Sequence, residues 1–458
     1  MGKFSTYRYL ELKDDTSAPH INVRSRTIKH PRRLKKVFIF LIILALCITY
    51  FLGLFAGQSQ WLDGLAKSLG YESVYHHAVI IDAGSSGSRV LAYKFRVPFT
   101  VFGQANLDLV DEYFEQSKPG LSSYADDPEK GADTIVQLIK KAEFLTPPEK
   151  RKATPLIVRA TAGLRLLPAD KALSLIDAVS EAISKLGYDV GSDGVKIMDG
   201  SDEGIFIWYT INLLHNLIEG NTMAALDLGG GSTQITYQLS DGDKPAYPAA
   251  DQYVVPAGDN ITLYTHSYLN LGLLAARYGV FRSEASDNTT RDFRSVCVDP
   301  IIQREPWTYA NKEYFISGEF RAHGTKRSAA YEACHAVVRR YVLATLDWEP
   351  KRPPLGSVAA MSYFYDVAAD AGIIDVMSGG EVSVAEYRGA ALRACSAANV
   401  DQPYACIDLV YIVTLLQDAY KIEDNKPISL FKKVHGHEVS WALGLAYTTV
   451  MNKIAITV

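Results

Sequence analysis

The stretch HHAVIIDAGSSGSRVLAYKF, residues 76–95, sets an apolar run before an acid, then a Gly/Ser-rich turn, then a second run of alternating character. The same order returns in AALDLGGGSTQITYQL, residues 224–239. Asp82 and Asp227, the acids that open the two turns, lie 145 residues apart, a domain-sized interval. A Gly/Ser-rich turn after a strand gathers backbone N–H groups into a concavity that suits phosphate oxygens. Glycine supplies the positive φ and close backbone approach that such a turn needs. The first turn offers Ser85, Ser86, Gly87, Ser88 and Arg89; the second offers Gly229, Gly230, Gly231, Ser232, Thr233 and Gln234. A single turn of this kind reads as a structural hairpin more often than as a phosphate loop. Two matched turns point to a polyphosphate held between two domains. The two carboxylates then suit Mg2+ or Ca2+, which prefer oxygen ligands, bound directly or through water. Either Asp alone reads equally as a turn cap.

Strand and helix patterns alternate around the first turn. A strand over 78–81 is followed by a helix whose apolar residues Ile135, Leu138, Ile139 and Ala142 recur at helical spacing, stopped by Pro147-Pro148. A strand over 155–159 and a second amphipathic helix closed by Gly187 come next. GIFIWYTINLLHNLI, residues 204–218, is apolar on several faces and reads as a buried helix. The alternation predicts an α/β fold. MSYFYD, residues 361–366, reads as an aromatic-rich loop, and EVSWALGLAYTTVMNKIAITV, residues 438–458, as a core helix with a terminal strand or tail.

The N-terminal region has a different character. Residues 1–36 carry ten Lys/Arg against three acids, a charge of +7, so within a whole-chain charge of −4 the rest carries −11. An acidic body is a poor nucleic-acid binder. Val37–Ala56 is uncharged, mostly apolar and 20 residues long, enough for one membrane crossing. The basic cluster before it predicts a cytoplasmic N-terminus, with cleavage of the segment as a signal peptide as the alternative. The resulting organisation is a basic tail over 1–36, a transmembrane signal anchor over 37–56, a stem over 57–76, and a lumenal body. Cys297, Cys334, Cys395 and Cys406 lie in that body and suggest two disulfides. Four cysteines allow three pairings, of which nearest neighbours is the simplest. The sequons at Asn260 and Asn288 suit a glycosylated surface. HGHE, residues 435–438, is not a zinc motif, because Trp441 stands where the second His belongs.

Five segments in order make the pattern specific: DAGSSGSR (82–89), ATAGLR (160–165), SDEG (201–204), DLGGGSTQ (227–234) and HEVSWALGLAY (437–447). In this the chain resembles the apyrase-type nucleoside phosphatases, the ecto-nucleoside triphosphate diphosphohydrolases. The resemblance implies two actin-like domains, 77–199 with a return at 436–458, and 200–435, with a nucleotide cleft between them. It implies that Glu203 activates the attacking water, with Asp202 as its neighbouring rival. Ser232 and Gln234 orient the water and touch the terminal phosphate, and Asp82 and Asp227 position the metal through bridging water. Thr161 and Arg165 lie near the cleft, Trp441 is the aromatic of the last segment, and Tyr363 or Tyr365 stacks on the base. Gly87, Arg89, a single anchor and four lumenal cysteines resemble the endoplasmic reticulum and Golgi diphosphatases, which favour UDP and GDP and clear glycosyltransferase product. The rival readings are a broad tri- and diphosphatase, an actin-like kinase or chaperone ATPase, and an actin-like nucleotide-binding membrane protein without catalysis.

Overall fold

The computed structural model describes residues 32–55, 68–70, 73–84, 86–98, 107–218, 221–255, 261–319, 328–354 and 356–457. They fall into two units, Met1–Gly70 with Phe99–Val101, and Tyr71–Pro98 with Phe102–Val458. The first contains helix α1 (Arg32–Phe55). Its side chains from Val37 to Leu44 are all largely exposed. Among the described residues no helix is long and apolar enough to cross a membrane. The side chains of 51–55 lie outside them, which leaves the described stretch of α1 short of the ~20 residues that a crossing takes.

The second unit is built on two sheets. The first has the order β3-β2-β1-β4-β5, from β1 (Val74–Ala83), β2 (Ser88–Val97), β3 (Asp108–Ser117), β4 (Leu156–Ala160) and β5 (Val195–Ile197). The second has seven strands in the order β14-β15-β13-β6-β7-β9-β8. These are β6 (Ala224–Leu228), β7 (Ser232–Gln238), β8 (Gln252–Val255), β9 (Ile261–Leu269), β13 (Val358–Ser362), β14 (Gly380–Val382) and β15 (Ile428–Leu430). In both sheets an antiparallel hairpin, β1–β2 or β6–β7, continues through a parallel neighbour, β4 or β13. A smaller sheet of β10 (Asp292–Ser295), β11 (Glu305–Tyr309) and β12 (Lys312–Gly318), and the hairpin of β16 (Lys433–Val434) and β17 (His437–Glu438), complete the strands.

Alternation along single strands explains the layering, because successive side chains leave a strand on opposite faces. Val79 and Ile81 of β1 enter a core with α2 (Pro128–Ala142) and, beyond the short α3 (Ala162–Arg165), α4 (Ala169–Ser184). Ala78 and Ile80 enter a second core with α5 (Gly200–Leu214). Ala225 of β6 enters that same second core, whereas Ala224 and Leu226 turn to a third, which holds α6 (Leu273–Glu284), α7 (Ala329–Thr345), α8 (Tyr363–Asp370), α9 (Val384–Ser396) and α10 (Ala405–Thr414). Helix α11 (Trp441–Thr457) joins α5 in the middle core. The two sheets therefore sandwich α5 and α11. Strands buried on both faces lose the polar alternation of a half-exposed strand, so the sequence reading of β1 as 78–81 stops short of the buried Asp82 and Ala83, and at the other end it misses the exposed Val74 and Tyr75, which join the strand through pairing with Val97 and Arg96. The end of the chain forms one helix as far as Thr457, not a helix followed by a strand.

Three details fix the helices of the middle layer. The Asp199 side chain caps α5 by accepting the Ser201 N–H at 2.9 Å. The Thr210 hydroxyl donates to the Ser440 carbonyl at 2.7 Å and accepts the Gly444 N–H at 2.8 Å, which clasps α11 to α5. A Cβ at Gly204 would lie 2.6 Å from Thr236 Oγ1 and 2.7 Å from Thr265 Oγ1. Those hydroxyls are buried and bonded to each other at 2.8 Å. Gly204→Ala is thus expected to lose about 1–3 kcal/mol of stability through overpacking, read as a lower urea midpoint at unchanged slope. The disulfides are Cys297–Cys334 and Cys395–Cys406, closing separations of 37 and 11 residues. By loop-closure entropy each contributes about 3–4 kcal/mol.

Candidate active site

Both Gly-rich turns emerge at the same end of their sheets. In the first, Asp82 stands opposite Arg89 in the β1–β2 ladder, and Arg89 Nη1 donates to Asp82 Oδ2 at 2.9 Å. A Cβ on Gly87 would sit 2.5 Å from Gln116 Nε2 and 3.0 Å from the Ser117 carbonyl, so the turn lies hard against the end of β3. Ser85 falls outside the described residues. Ser86 is half-buried, and Ser88 is wholly buried as a member of the ladder, not of the turn.

In the second turn the carbonyls of Gly229 and Gly230 accept the amides of Leu273 and Ala275 at the start of α6, both at 2.9 Å. The amides of Gly230 and Gly231 donate to no backbone carbonyl among the described residues. A Cβ on Gly231 would lie 2.9 Å from the Ala162 Cβ, so this turn rests against the start of α3. Thr161, just before α3, is buried, and its amide donates to the Ala83 carbonyl at 3.3 Å beside the first turn. The segments around residues 82, 161 and 231 therefore converge.

Glu203 lies in the first turn of α5 and is buried. Its Oε2 accepts Arg165 Nη2 at 2.7 Å and Gln234 Nε2 at 3.2 Å. Gln234 Nε2 also lies 2.9 Å from both Ser232 Oγ and Ser267 Oγ, and Arg165 Nη2 is 3.3 Å from Ser232 Oγ. Four elements thus deliver one compact cluster. Burial pushes the Glu203 carboxyl up to about 8; the Arg165 guanidinium opposes the rise, and the Asp227 and Asp82 charges add to it. Asp202, one residue earlier, is only half-buried. Burial raises its carboxyl too, but the charges around it are Lys196, Asp199 and Arg159. The neighbouring acids therefore belong to different surroundings.

Asp82 and Asp227 are both buried, and burial raises both carboxyls. Arg89 opposes the rise at Asp82. At Asp227 the Ser362 hydroxyl, donating at 2.6 Å, opposes it, while the charge of Asp82 reinforces it. Asp82 Oδ1 is buried with no partner among the described residues, as is Gln234 Oε1. An orphaned carboxylate oxygen beside a second buried carboxylate fits a hydrated divalent cation. No group of three or more His, Cys, Asp or Glu stands together among the described residues, so the remaining ligands of such an ion would be water and phosphate oxygens.

The other residues singled out from the sequence are scattered. Residues 361–366 form the junction of β13 and α8, not a loop, and Ser362 takes φ 56° there. Tyr365 is buried in the core with its hydroxyl on the Val376 carbonyl at 2.9 Å, whereas Tyr363 is half-buried. Trp441 is a buried member of the middle core. Asn288 is exposed, and Asn260 lies outside the described residues. The sequence reading passed over Ser267 and Ser362. Both reach the cluster through strand pairing, Ser267 opposite Gln234 and Ser362 beside Leu228, and no local motif marks them. It also passed over a cavity of about 560 Å³ lined in part by Arg277, Tyr404 and Asp408. There the Arg277 guanidinium lies 4.4 Å from the Tyr404 ring centre.

The chain belongs to the GDA1/CD39 (nucleoside phosphatase) family, whose pattern it matches over residues 70–353 and 386–456. It is accordingly an enzyme of the nucleoside phosphatase class. It is 35% identical to the human protein named nucleoside diphosphate phosphatase ENTPD5, over 90% of this chain and 96% of that one. It is 34% identical to the Caenorhabditis elegans protein named nucleoside-diphosphatase uda-1, over 83% and 82% respectively. Its fold matches the crystal structure titled as nucleoside triphosphate hydrolases from Neospora caninum, with a TM-score of 0.59 at 15% identity, over 88% of this chain and 97% of that one.

Proposed function

We propose that this chain is a divalent-metal-dependent nucleoside diphosphatase, favouring UDP and GDP, anchored by α1 with its body in the secretory-pathway lumen. The reading rests above all on Glu203, buried against Arg165 and Gln234 beside Ser232 and near the Asp82–Asp227 pair. The relatives named as diphosphatases support the substrate class. The lumenal setting is supported by the two disulfides and by the apolar sequence of α1 behind its basic flank. The two sheets with their helices act as two actin-like domains, 77–199 with 436–458, and 200–435, and the nucleotide phosphates lie between the two turns.

In the mechanism, Glu203 holds the attacking water and takes its proton. Gln234, bonded to both Glu203 and Ser232, and Ser232 fix the direction of attack. Turn amides, among them those of Gly230 and Gly231, receive phosphate oxygens and meet the charge that grows on them in the transition state. Asp82 and Asp227 would hold Mg2+ or Ca2+ through water, and the bound ion supplies charge neutralisation on the phosphates. Tyr363, the more accessible of the two candidate tyrosines, stands nearer the role of base contact than the buried Tyr365.

A nucleotide panel with free-phosphate readout tests the proposal. UDP and GDP are expected to be cut faster than UTP and GTP, monophosphates to be left intact, and chelation to abolish the activity. Faster cleavage of ATP than of any diphosphate would replace this reading with a broad apyrase. Hydrolysis that survives chelation would remove the role given to Asp82 and Asp227. Protease added to intact microsomes is expected to remove only the N-terminal tail; digestion of the body would overturn the orientation.

A further inference from the structure

Arg89 holds an unusual place in this cluster. Its guanidinium bonds Asp82 Oδ2 at 2.9 Å, and a Cβ on Gly84 would lie 3.1 Å from its Nη1, so it rests directly on the first turn. Its charge reaches beyond Asp82 to Asp227, Tyr363, Asp366 and Glu438. Asp82 is almost fully enclosed, while the Arg89 side chain keeps 30% of its surface exposed. The cation therefore sits at the rim and the anion in the floor, with the second oxygen of that anion unpartnered among the described residues. A divalent ion drawn to the Asp82–Asp227 pair meets a positive charge already installed there.

We propose that Arg89 is an internal stand-in for the metal. In the nucleotide-free protein it neutralises Asp82 and keeps free divalent ions off the carboxylate pair, and it leaves Asp82 for phosphate oxygens when metal and nucleotide arrive together. Three pieces of chemistry carry this. A guanidinium N–H donates to a phosphate oxygen as it does to a carboxylate oxygen, so the exchange can preserve the single bond that Arg89 makes to Asp82 Oδ2. A long, partly exposed side chain can make the move without backbone rearrangement. A buried pair of like charges needs a counter-charge, and Arg89 supplies one when no metal is present. The true ligand of the protein is then the metal–nucleotide complex, not either component alone. The inference rests on the metal-dependent reading above.

Mn2+ is the probe, with its affinity measured on the full-length, detergent-solubilised chain by calorimetry and by loss of the free-ion paramagnetic signal. Without nucleotide, Arg89→Met is expected to bind Mn2+ at least about tenfold more tightly than the parent, since a unit positive charge a few ångströms away is removed. Arg89→Lys keeps the charge and is expected to resemble the parent. Adding Asp82→Asn to Arg89→Met should erase the gain. In the presence of a saturating methylene-bridged nucleoside diphosphate, the advantage of Arg89→Met should shrink, because the parent has by then moved Arg89 onto phosphate. Thermal melts identify folded variants; Arg89→Gln, uncharged but still a donor to Asp82, replaces Arg89→Met if the latter does not fold. Unchanged Mn2+ affinity in the uncharged variant overturns the proposal, as does a gain of equal size with and without the nucleotide analogue. Phosphate release by the parent is scored separately: its absence would sink the diphosphatase reading, while the Mn2+ comparison still decides the role of Arg89.

Discussion

Glu203→Gln is expected to cut single-turnover hydrolysis by about 10²- to 10⁴-fold while leaving nucleotide affinity close to that of the parent. The amide has nearly the shape of the acid, so the buried position stays filled. Its oxygen can still accept from Arg165, but it cannot take a proton from water at neutral pH. On the proposed reading, ground-state contacts come from the turns and the metal, and the substitution leaves both untouched. Loss of one negative charge near the phosphates favours binding, if it changes it at all. Asp202→Asn is the control. Its half-buried carboxyl sits among Lys196, Asp199 and Arg159, away from Gln234 and Ser232, so most activity should persist. Normal hydrolysis by Glu203→Gln beside a dead Asp202→Asn would transfer the role to Asp202. Two active variants would remove the base mechanism altogether. Calorimetric affinity measured beside the rates separates lost chemistry from lost binding.

Arg165→Met should produce the second large effect, and its signature is a pH profile. The carboxyl of Glu203 already stands at about 8, held down from a higher value by Arg165. An acid with a raised value binds its proton more tightly in the folded than in the unfolded chain. Its contribution to stability is therefore complete below its ordinary value and is lost as pH rises through about 8. Activity runs the other way, because a base must be ionised, so kcat/KM of the parent should climb with pH through the same range. The cation proposed for Asp82 and Asp227 would move that limb downward. Without the guanidinium the limb moves upward by the ~1–3 pH units that a close opposite charge is worth, a loss of about ten- to a thousandfold at pH 7. Raising the pH should restore part of it. A loss that is the same at every pH would mean that Arg165 acts on the substrate and not on Glu203.

The parts of this site that could be read in the sequence are those whose chemistry is local. A turn that must expose amides needs its glycines in a row, and Asp82 and Asp227 stand at the ends of apolar strands, so both turns were visible as strings. Cysteine pairing between chain neighbours was the simplest of three options, and the structure holds that one. The rest depends on register. Ser267 faces Gln234 only because β7 and β9 pair as they do, and Ser362 meets Asp227 only because β13 lies beside β6. Tyr365 and Trp441 have the composition of ligand contacts but are claimed by the core, and nothing within a few residues distinguishes the two fates. The C-terminal extent of β1 was hidden for a related reason: buried on both faces through Ala83, its pattern loses the alternation that marks a strand's end, whereas Val74 and Tyr75 are exposed and belong to the strand only through pairing with Val97 and Arg96.

The clasp between α5 and α11 has a consequence for biogenesis. Glu203 rides on a helix whose flank is closed by residues 441–457, the last described element that the ribosome makes. Until that helix is delivered, the apolar side of α5 lacks part of its cover and Thr210 lacks its partners at Ser440 and Gly444. The site is therefore completed in one late step instead of growing with the chain. A chain truncated between residues 235 and 436 carries four of the five signature segments and lacks the partners of Thr210 at Ser440 and Gly444.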